Sequence, residues 1–294
     1  MDISKVGVLG AGLMGHGIAQ VSAQAGYDVV LREVDQERLD KGIGRIQKQL
    51  SRAVEREKMT QDDADAVLGR LNGTLDYGDF ADCDLVIEAI TENLGMKLEM
   101  WKELDGIVKD GAVLATNTSS LSVIDQAAST KRPDRFIGLH FFNPAQVMKL
   151  LEVVQTVTTD EESLQTGFDF GKSVGKLTVH AKDKTGFIVN RLLVPYMLDA
   201  IRAYEEGTGT VDQIDEAMKA GAAHPMGPFT LLDFVGLDTT KSIADIMFDE
   251  YRERRFAAPP TLRKMVAAGY YGRKSGRGFY DYSGDEPKVV DLGL

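Results

Sequence analysis

Lys5-Val6-Gly7-Val8-Leu9-Gly10-Ala11-Gly12-Leu13-Met14-Gly15-His16-Gly17 is the stretch whose reading decides the fold. A short apolar run ends in a G-x-G-x-x-G turn, and a helical pattern begins at once. Strand, glycine turn and helix N-terminus in that order form a dinucleotide-binding unit. Gly10 permits the turn, Gly12 lets the backbone approach a pyrophosphate, and Gly15 lets the helix pack against the strand. Leu13 and Met14 lie within the turn and join the cofactor-binding candidates. The free amides and positive dipole end of the helix would then face the phosphates. An ordinary βα turn is the bland alternative; an acidic residue at the right distance argues against it.

That residue is Glu33, at the end of the second strand-like run, Tyr27-Asp28-Val29-Val30-Leu31-Arg32-Glu33. A carboxylate about 20 residues after the glycines accepts hydrogen bonds from the adenosine ribose and repels a 2′-phosphate. NAD is therefore expected, with Asp35 a weaker substitute for Glu33. Arg32 leaves NADP open, since a guanidinium turned inward could hold that phosphate; a solvated strand-end cation is its plainer reading.

Composition narrows the classes. The 294 residues are 43% hydrophobic and 27% charged, enough for two globular domains with substantial cores. A net charge of −11 argues against a surface that tracks nucleic-acid phosphates. One cysteine, Cys83, allows no intrachain disulfide and fits a reducing compartment. No stretch reaches the apolar length that spans a bilayer. The first strand begins almost at once, so no targeting peptide is expected and cytoplasm is the expected compartment. His16, His140, His180 and His224 are far apart in sequence, and no metal site is expected.

Strand-like and helical segments alternate through the first part, the signature of an α/β, Rossmann-like, parallel doubly wound sheet. Further strands are expected at 85–88, 112–116, 135–140, 150–154 and 177–180, with helices at 94–108 and 161–174. A helical hairpin is expected at about 36–70. From about Gly186 only helices are expected, at 187–204, 211–220 and 237–251. The polar stretch Ala181-Lys182-Asp183-Lys184-Thr185-Gly186 marks the boundary. This divides the chain into a dinucleotide-binding domain, 1–184, and an all-α domain, 185–294, whose tail from Ser283 is expected to be mobile. On the hairpin, Lys41, Arg45, Lys48, Arg52 and Arg56 recur along one helical face. That stripe reads equally as a solvated surface or as a landing strip for an anionic substrate handle.

Four segments carry candidate chemistry near strand ends or the domain boundary, where open α/β sheets bind ligands. Ala115-Thr116-Asn117-Thr118-Ser119-Ser120 is a run of small hydroxyl residues, with Asn117 counted among the cofactor candidates. Gly138-Leu139-His140-Phe141-Phe142-Asn143-Pro144 ends a strand on a histidine. Glu152 is a lone carboxylate in the apolar run 149–154, where an unpaired charge would be costly. Thr185-Gly186-Phe187-Ile188-Val189-Asn190-Arg191 opens the second domain. A nicotinamide dehydrogenase acting on an alcohol needs a base for the hydroxyl proton, and histidine titrates in the right range. A neighbouring carboxylate would fix its tautomer and stabilise the imidazolium. His140 with Glu152 fits, although a structural histidine and a structural ion pair fit the pattern alone equally well.

The runs LGAGLMGHGIA, ATNTSSLS, GLHFFNPAQVMKLLEVV, KTGFIVNRLL, AHPMGPFTLLDFVGLD and GRKSGRGFY closely resemble the short-chain (S)-3-hydroxyacyl-CoA dehydrogenases, and in particular their stand-alone bacterial 3-hydroxybutyryl-CoA branch. The resemblance covers all but about the last dozen residues. It implies reversible NAD-dependent oxidation of a 3-hydroxyacyl-CoA to the 3-ketoacyl-CoA. His140 would be the acid/base and Glu152 its orienting partner. Ser119 would bond the reacting oxygen, and Asn190 would position the substrate or polarise its carbonyl. Glu92 and Lys97 match positions lining the cofactor side. The hairpin would grip coenzyme A, with Ser51, Arg52, Arg56 and Lys58 available and Glu55 and Glu57 interrupting. A homodimer through the helical domain is implied. His224, in Ala223-His224-Pro225-Met226-Gly227-Pro228, is read as structural, and His16 as exposed or cofactor-adjacent. The rivals are a dehydrogenase of a free hydroxy acid or sugar acid on the same fold, and a nucleotide-binding protein that has lost the chemistry.

Overall fold

The computed structural model describes residues 2–293. They form two compact units that divide between Lys184 and Thr185. In the first unit an eight-stranded sheet has the order β3-β2-β1-β4-β5-β6-β7-β8. Its strands are β1 (Lys5–Leu9), β2 (Asp28–Arg32), β3 (Leu71–Thr74), β4 (Leu85–Glu88), β5 (Val113–Thr116), β6 (Phe136–Phe141), β7 (Leu150–Gln155) and β8 (Leu177–Lys182). The helices are α1 (Gly15–Gln24), α2 (Gln36–Glu55), α3 (Gln61–Gly69), α4 (Leu94–Asp105), α5 (Val123–Ala127) and α6 (Glu161–Ser173). β2 and β3 lie on one side of β1 and β4 on the other, so the winding reverses between β1 and β4. That is where a doubly wound sheet opens its ligand crevice.

The central strands are buried on both faces, with every residue of β4, β5 and β6 buried, as their near-continuous apolar sequences require. Helices close the faces: Trp101 of α4 is fully buried, edge-on to Phe136 at 4.9 Å, and its indole N–H donates to Gln126 Oε1 at 3.0 Å. A buried ring needs that partner for its one polar atom. At the other end of β4, Asp84 accepts the amides of Ser4 and Lys5 and an ammonium hydrogen bond from Lys109. Burial pushes the Asp84 carboxyl up, and these bonds outweigh it, holding it down at about 2.

Three sequence expectations need correction. β3 went unread because Leu71-Asn72-Gly73-Thr74 is polar, contains glycine, and forms a half-exposed edge strand. The sheet is not wholly parallel: β7 runs antiparallel to β6, and β8 parallel to β7. A parallel return needs a crossover of a dozen or more residues, and the connection 142–149 is too short for one. The tail from Ser283 is also tied down. β10 (Lys288–Val289) pairs with β9 (Tyr280–Asp281), and Val290 is buried; Leu294 lies outside the described residues.

The second unit comprises α7 (Val189–Glu205), α8 (Val211–Ala222), α9 (Pro228–Val235), α10 (Leu237–Tyr251) and α11 (Pro260–Ala267) with that small hairpin. Its core includes Leu198, Ile201, Phe229, Leu232, Met247, Phe256 and Phe279. Two buried carboxylates fasten it. Asp215 accepts the amides of Phe229 and Thr230 at the start of α9 and the hydroxyl of Tyr280. Asp233 accepts the amides of Phe279 and Tyr280 and the hydroxyl of Tyr282. Burial pushes the Asp233 carboxyl above its ordinary range, with those bonds pulling the other way.

Candidate active site

The antiparallel register of β6 and β7 sets His140 directly opposite Glu152. Opposed residues on adjacent strands share a face, so imidazole and carboxylate meet without a loop to position them. Nδ1 of His140 lies 2.6 Å from Glu152 Oε2, and Nε2 lies 3.2 Å from Ser119 Oγ. A carboxylate accepts only, so Nδ1 carries the ring proton and Nε2 accepts from the serine hydroxyl. His140 is 3% exposed and Glu152 fully buried. The Phe142 ring packs on the imidazole at 4.6 Å.

Ser119 belongs to the turn after β5, and Glu92 organises that turn. One carboxylate oxygen of Glu92 accepts from Thr118 Oγ1 (2.5 Å), Ser119 N (3.0 Å), and Ser120 N and Oγ (both 3.3 Å). Its other oxygen meets Lys97 Nζ at 2.9 Å. Lys97, 1% exposed, also meets Glu88 at 3.0 Å. Glu88 further accepts from Thr116 Oγ1 and the amide of Ile90. One buried ammonium thus serves two carboxylates, Glu88 fully buried and Glu92 reaching the surface. Burial raises the Glu88 carboxyl, against the pull of Lys97. Burial also acts on Glu92, but Lys97 and the Thr118 hydroxyl outweigh it and hold that carboxyl below its ordinary value. Glu88 escaped the sequence reading, although a lone carboxylate in an apolar strand was the same signal that singled out Glu152. Asn117 does something other than face a ligand with its side-chain oxygen: Oδ1 accepts the amide of Phe141 at 2.8 Å, fastening β5 to β6. Asp183, read only as part of a boundary, accepts the amides of Val123 and Ile124 and caps α5.

Gly10 has φ +91°, and a Cβ there would stand 2.7 Å from the Ala89 carbonyl. A Cβ on Gly15 would stand 1.7 Å from the Gly10 carbonyl, so the helix can approach only without one. At Gly12 the same atom meets nothing within 4 Å, which leaves the backbone open on that side. No side chain caps the start of α1, and no acid stands in its first turn. An anion fits those amides. Glu33 accepts the amides of Ala11 (3.0 Å) and Val34 (2.9 Å), joining the end of β2 to the turn. Arg32 is held elsewhere: its guanidinium lies 3.6 Å over the Tyr77 ring and Nε donates to the Leu75 carbonyl. Arg32, Glu33, Val34, Tyr77, Ile90 and Met96 are among the residues lining a cavity beside the turn.

His16 is not exposed; it is buried behind the glycine turn. On α2, Leu39, Gly42, Ile46 and Leu50 face the core, while Lys41, Lys48, Ser51, Arg52, Arg56 and the following Lys58 are exposed and Arg45 is half-buried. Among the described residues none of these cations has a carboxylate within ion-pair distance. In the second unit Asn190 is half-buried in the first turn of α7, just after Gly186 and Phe187, both with positive φ. His224 Nδ1 bonds the Tyr196 hydroxyl at 3.1 Å. Among the described residues no group of acids, histidines or cysteine could hold a metal ion, and no helix is long and apolar enough to cross a membrane.

A glycine turn at the switch point and an acid closing β2 onto it define an NAD-binding α/β unit, here followed by a helical one. The family model for the NAD binding domain of 3-hydroxyacyl-CoA dehydrogenase matches residues 5–184, and that for its C-terminal domain matches 186–282. The chain belongs to the 3-hydroxyacyl-CoA dehydrogenase family, and NAD is its cofactor. A 3-hydroxybutyryl-CoA dehydrogenase of Mycobacterium tuberculosis is 50% identical over 282 residues, covering 95% of this chain and 99% of that one. The mitochondrial hydroxyacyl-coenzyme A dehydrogenase of Homo sapiens is 45% identical over 287 residues, covering 95% and 91%. The crystal structure of (S)-3-hydroxybutyryl-CoA dehydrogenase PaaH1 from Ralstonia eutropha superposes with a TM-score of 0.93 at 41% identity, covering 96% of this chain and all of that one.

Proposed function

We propose that this chain interconverts (S)-3-hydroxyacyl-CoA and 3-ketoacyl-CoA thioesters with NAD, and that 3-hydroxybutyryl-CoA is its preferred kind of substrate. The observation that carries this reading is the Ser119–His140–Glu152 chain of hydrogen bonds, set within an NAD-binding fold. In the oxidative direction, Nε2 of His140 takes the proton of the C3 hydroxyl. Glu152, against Nδ1, stabilises the imidazolium that results and keeps the ring in the tautomer that accepts at Nε2. Ser119 bonds the reacting oxygen and holds it in line with Nε2. In the reductive direction His140 returns the proton to the ketone oxygen. NAD, when bound, would supply the acceptor for the hydride that leaves C3. The amides around Gly12, Leu13 and Met14 would hold its pyrophosphate, Glu33 its adenosine ribose, and the Glu92–Lys97 pair would line its reacting end.

Asn190 serves to position the thioester, and Ser51, Arg52, Arg56 and Lys58 to meet the phosphates of the CoA handle. The exposure and ion-pair freedom of those cations support that assignment. The working form is a homodimer built on the helical unit, in the cytoplasm. The test is NADH consumption by the purified protein with acetoacetyl-CoA against free acetoacetate at the same concentration. Rapid turnover of the thioester alone is expected. Equal turnover of both, unaffected by reversing charge at Arg52 and Arg56, would replace the reading with a free-acid dehydrogenase. Silence with both and with longer acyl chains, while NADH still binds, would replace it with a nucleotide-binding protein.

A further inference from the structure

His16 follows the last glycine of the G-x-G-x-x-G turn, and the reaction as described gives it no task. Its ring is 5% exposed, behind the turn. Nδ1 lies 2.6 Å from the Gly12 carbonyl oxygen, which also accepts the His16 amide at 3.4 Å. Nε2 lies 3.4 Å from the side-chain amide nitrogen of Gln49, on α2. Burial lowers the ring's pKa from 6.5, the Gly12 carbonyl opposes that, and Arg45 adds to the lowering. The ring is therefore neutral near pH 7. With a carbonyl at Nδ1 and an amide N–H₂ at Nε2, Nδ1 donates and Nε2 accepts.

The consequence follows from peptide planarity. In a trans peptide the C=O and the next N–H point in opposite directions. Holding the Gly12 carbonyl on the imidazole therefore aims the Leu13 N–H away from the imidazole. We infer that His16 is a positioning residue: it locks the Gly12–Leu13 peptide so that the Leu13 amide is fixed as a donor to the cofactor's pyrophosphate. Gln49 holds the ring's other nitrogen and ties the turn to the α2 hairpin. Without the imidazole only the long 3.4 Å bond from the His16 amide holds this carbonyl, and glycine at the first position of the peptide imposes little further backbone restraint. The inference deepens the NAD assignment and rests on it.

The test measures binding of NADH, ADP-ribose and adenosine by fluorescence or calorimetry, with turnover left aside. His16→Ala is expected to weaken NADH and ADP-ribose about tenfold, the worth of one well-placed hydrogen bond, and to leave adenosine within about twofold. His16→Asn places an amide donor where Nδ1 stood and is expected to restore both to within about threefold of the unaltered chain. Unchanged affinity in His16→Ala would overturn the inference. So would an equal loss for all three ligands, which is what disturbed packing would give, or an asparagine variant no better than alanine. Failure of the unaltered chain to bind NADH would overturn the cofactor assignment itself, a separate and visible outcome.

Discussion

The two units bury carboxylates for different ends. In the first, Glu152 and Glu92 receive hydrogen bonds from groups that lead to the proposed chemistry: an imidazole, a lysine, and the turn that carries Ser119. In the second, Asp215 and Asp233 receive backbone amides and tyrosine hydroxyls, and they bind α8, α9 and the terminal hairpin to one another. Glu152, Asp215 and Asp233 are buried, Glu92 is partly open to solvent, and all four are satisfied. Burial and saturation do not separate a functional acid from a structural one; the identity of the donors does.

The sharpest way to break that comparison is at His140. His140→Ala is expected to lower kcat on the order of 10² to 10⁴-fold with folding intact, whereas near-normal turnover would remove it from proton transfer. Next is the shared ammonium. Lys97→Met leaves Glu88 and Glu92 without a buried cation and should destabilise the fold by about 3–5 kcal/mol, read by urea unfolding at neutral pH. Burial already raises the Glu88 carboxyl above 4.5, and loss of Lys97 raises it further. A carboxyl whose folded pKa is raised favours the folded state at low pH and loses that advantage as pH climbs through the folded value. Part of the deficit should therefore vanish on acidification; a deficit that grows instead would mean that Lys97 is not what keeps these acids ionised.

Asp233→Asn sharpens the contrast from the other side. It should cost about 1–3 kcal/mol of unfolding free energy, since the amide cannot accept at both positions, and leave kcat unchanged. A fall in kcat at full occupancy of the folded state would end the division of roles drawn here. The smallest effect is expected at Glu33, which faces both the turn and the cavity beside it. Glu33→Ala should shift the ratio of NAD to NADP affinity toward NADP by about tenfold, the worth of one charge-assisted bond. A fixed ratio would mean that the adenosine ribose is read elsewhere.

Much of the first unit was legible because its signals are local. Glycines 10, 12 and 15 follow an apolar strand, and β4 and β5 are apolar up to their last residues, Glu88 and Thr116. His140 and Glu152 could be paired by their chemistry, but the strand register that makes them meet is spelled out by no residue. The connection 142–149 could have revealed the antiparallel turn, because its length forbids a crossover. Glu88 was hidden by its apolar neighbours, and β3 by having too few of them. His16 looked like an ordinary residue of a helix start; its bond to Gly12 appears only once the turn is folded. The clasps of the second unit were not legible at all, because Asp233 meets its partners 46 and 47 residues further on.

The hairpin of β6 and β7 has a kinetic consequence as well. His140 and Glu152 are only 12 positions apart, and a short loop closes at small entropic cost, with each doubling of length adding about 0.6 kcal/mol. The two side chains can therefore meet early in folding, as one hairpin zips, before strands distant in sequence have found their places. Ser119, by contrast, reaches the imidazole only after β5 and β6 have paired. The proton-handling pair and its backbone form a segment that travels together.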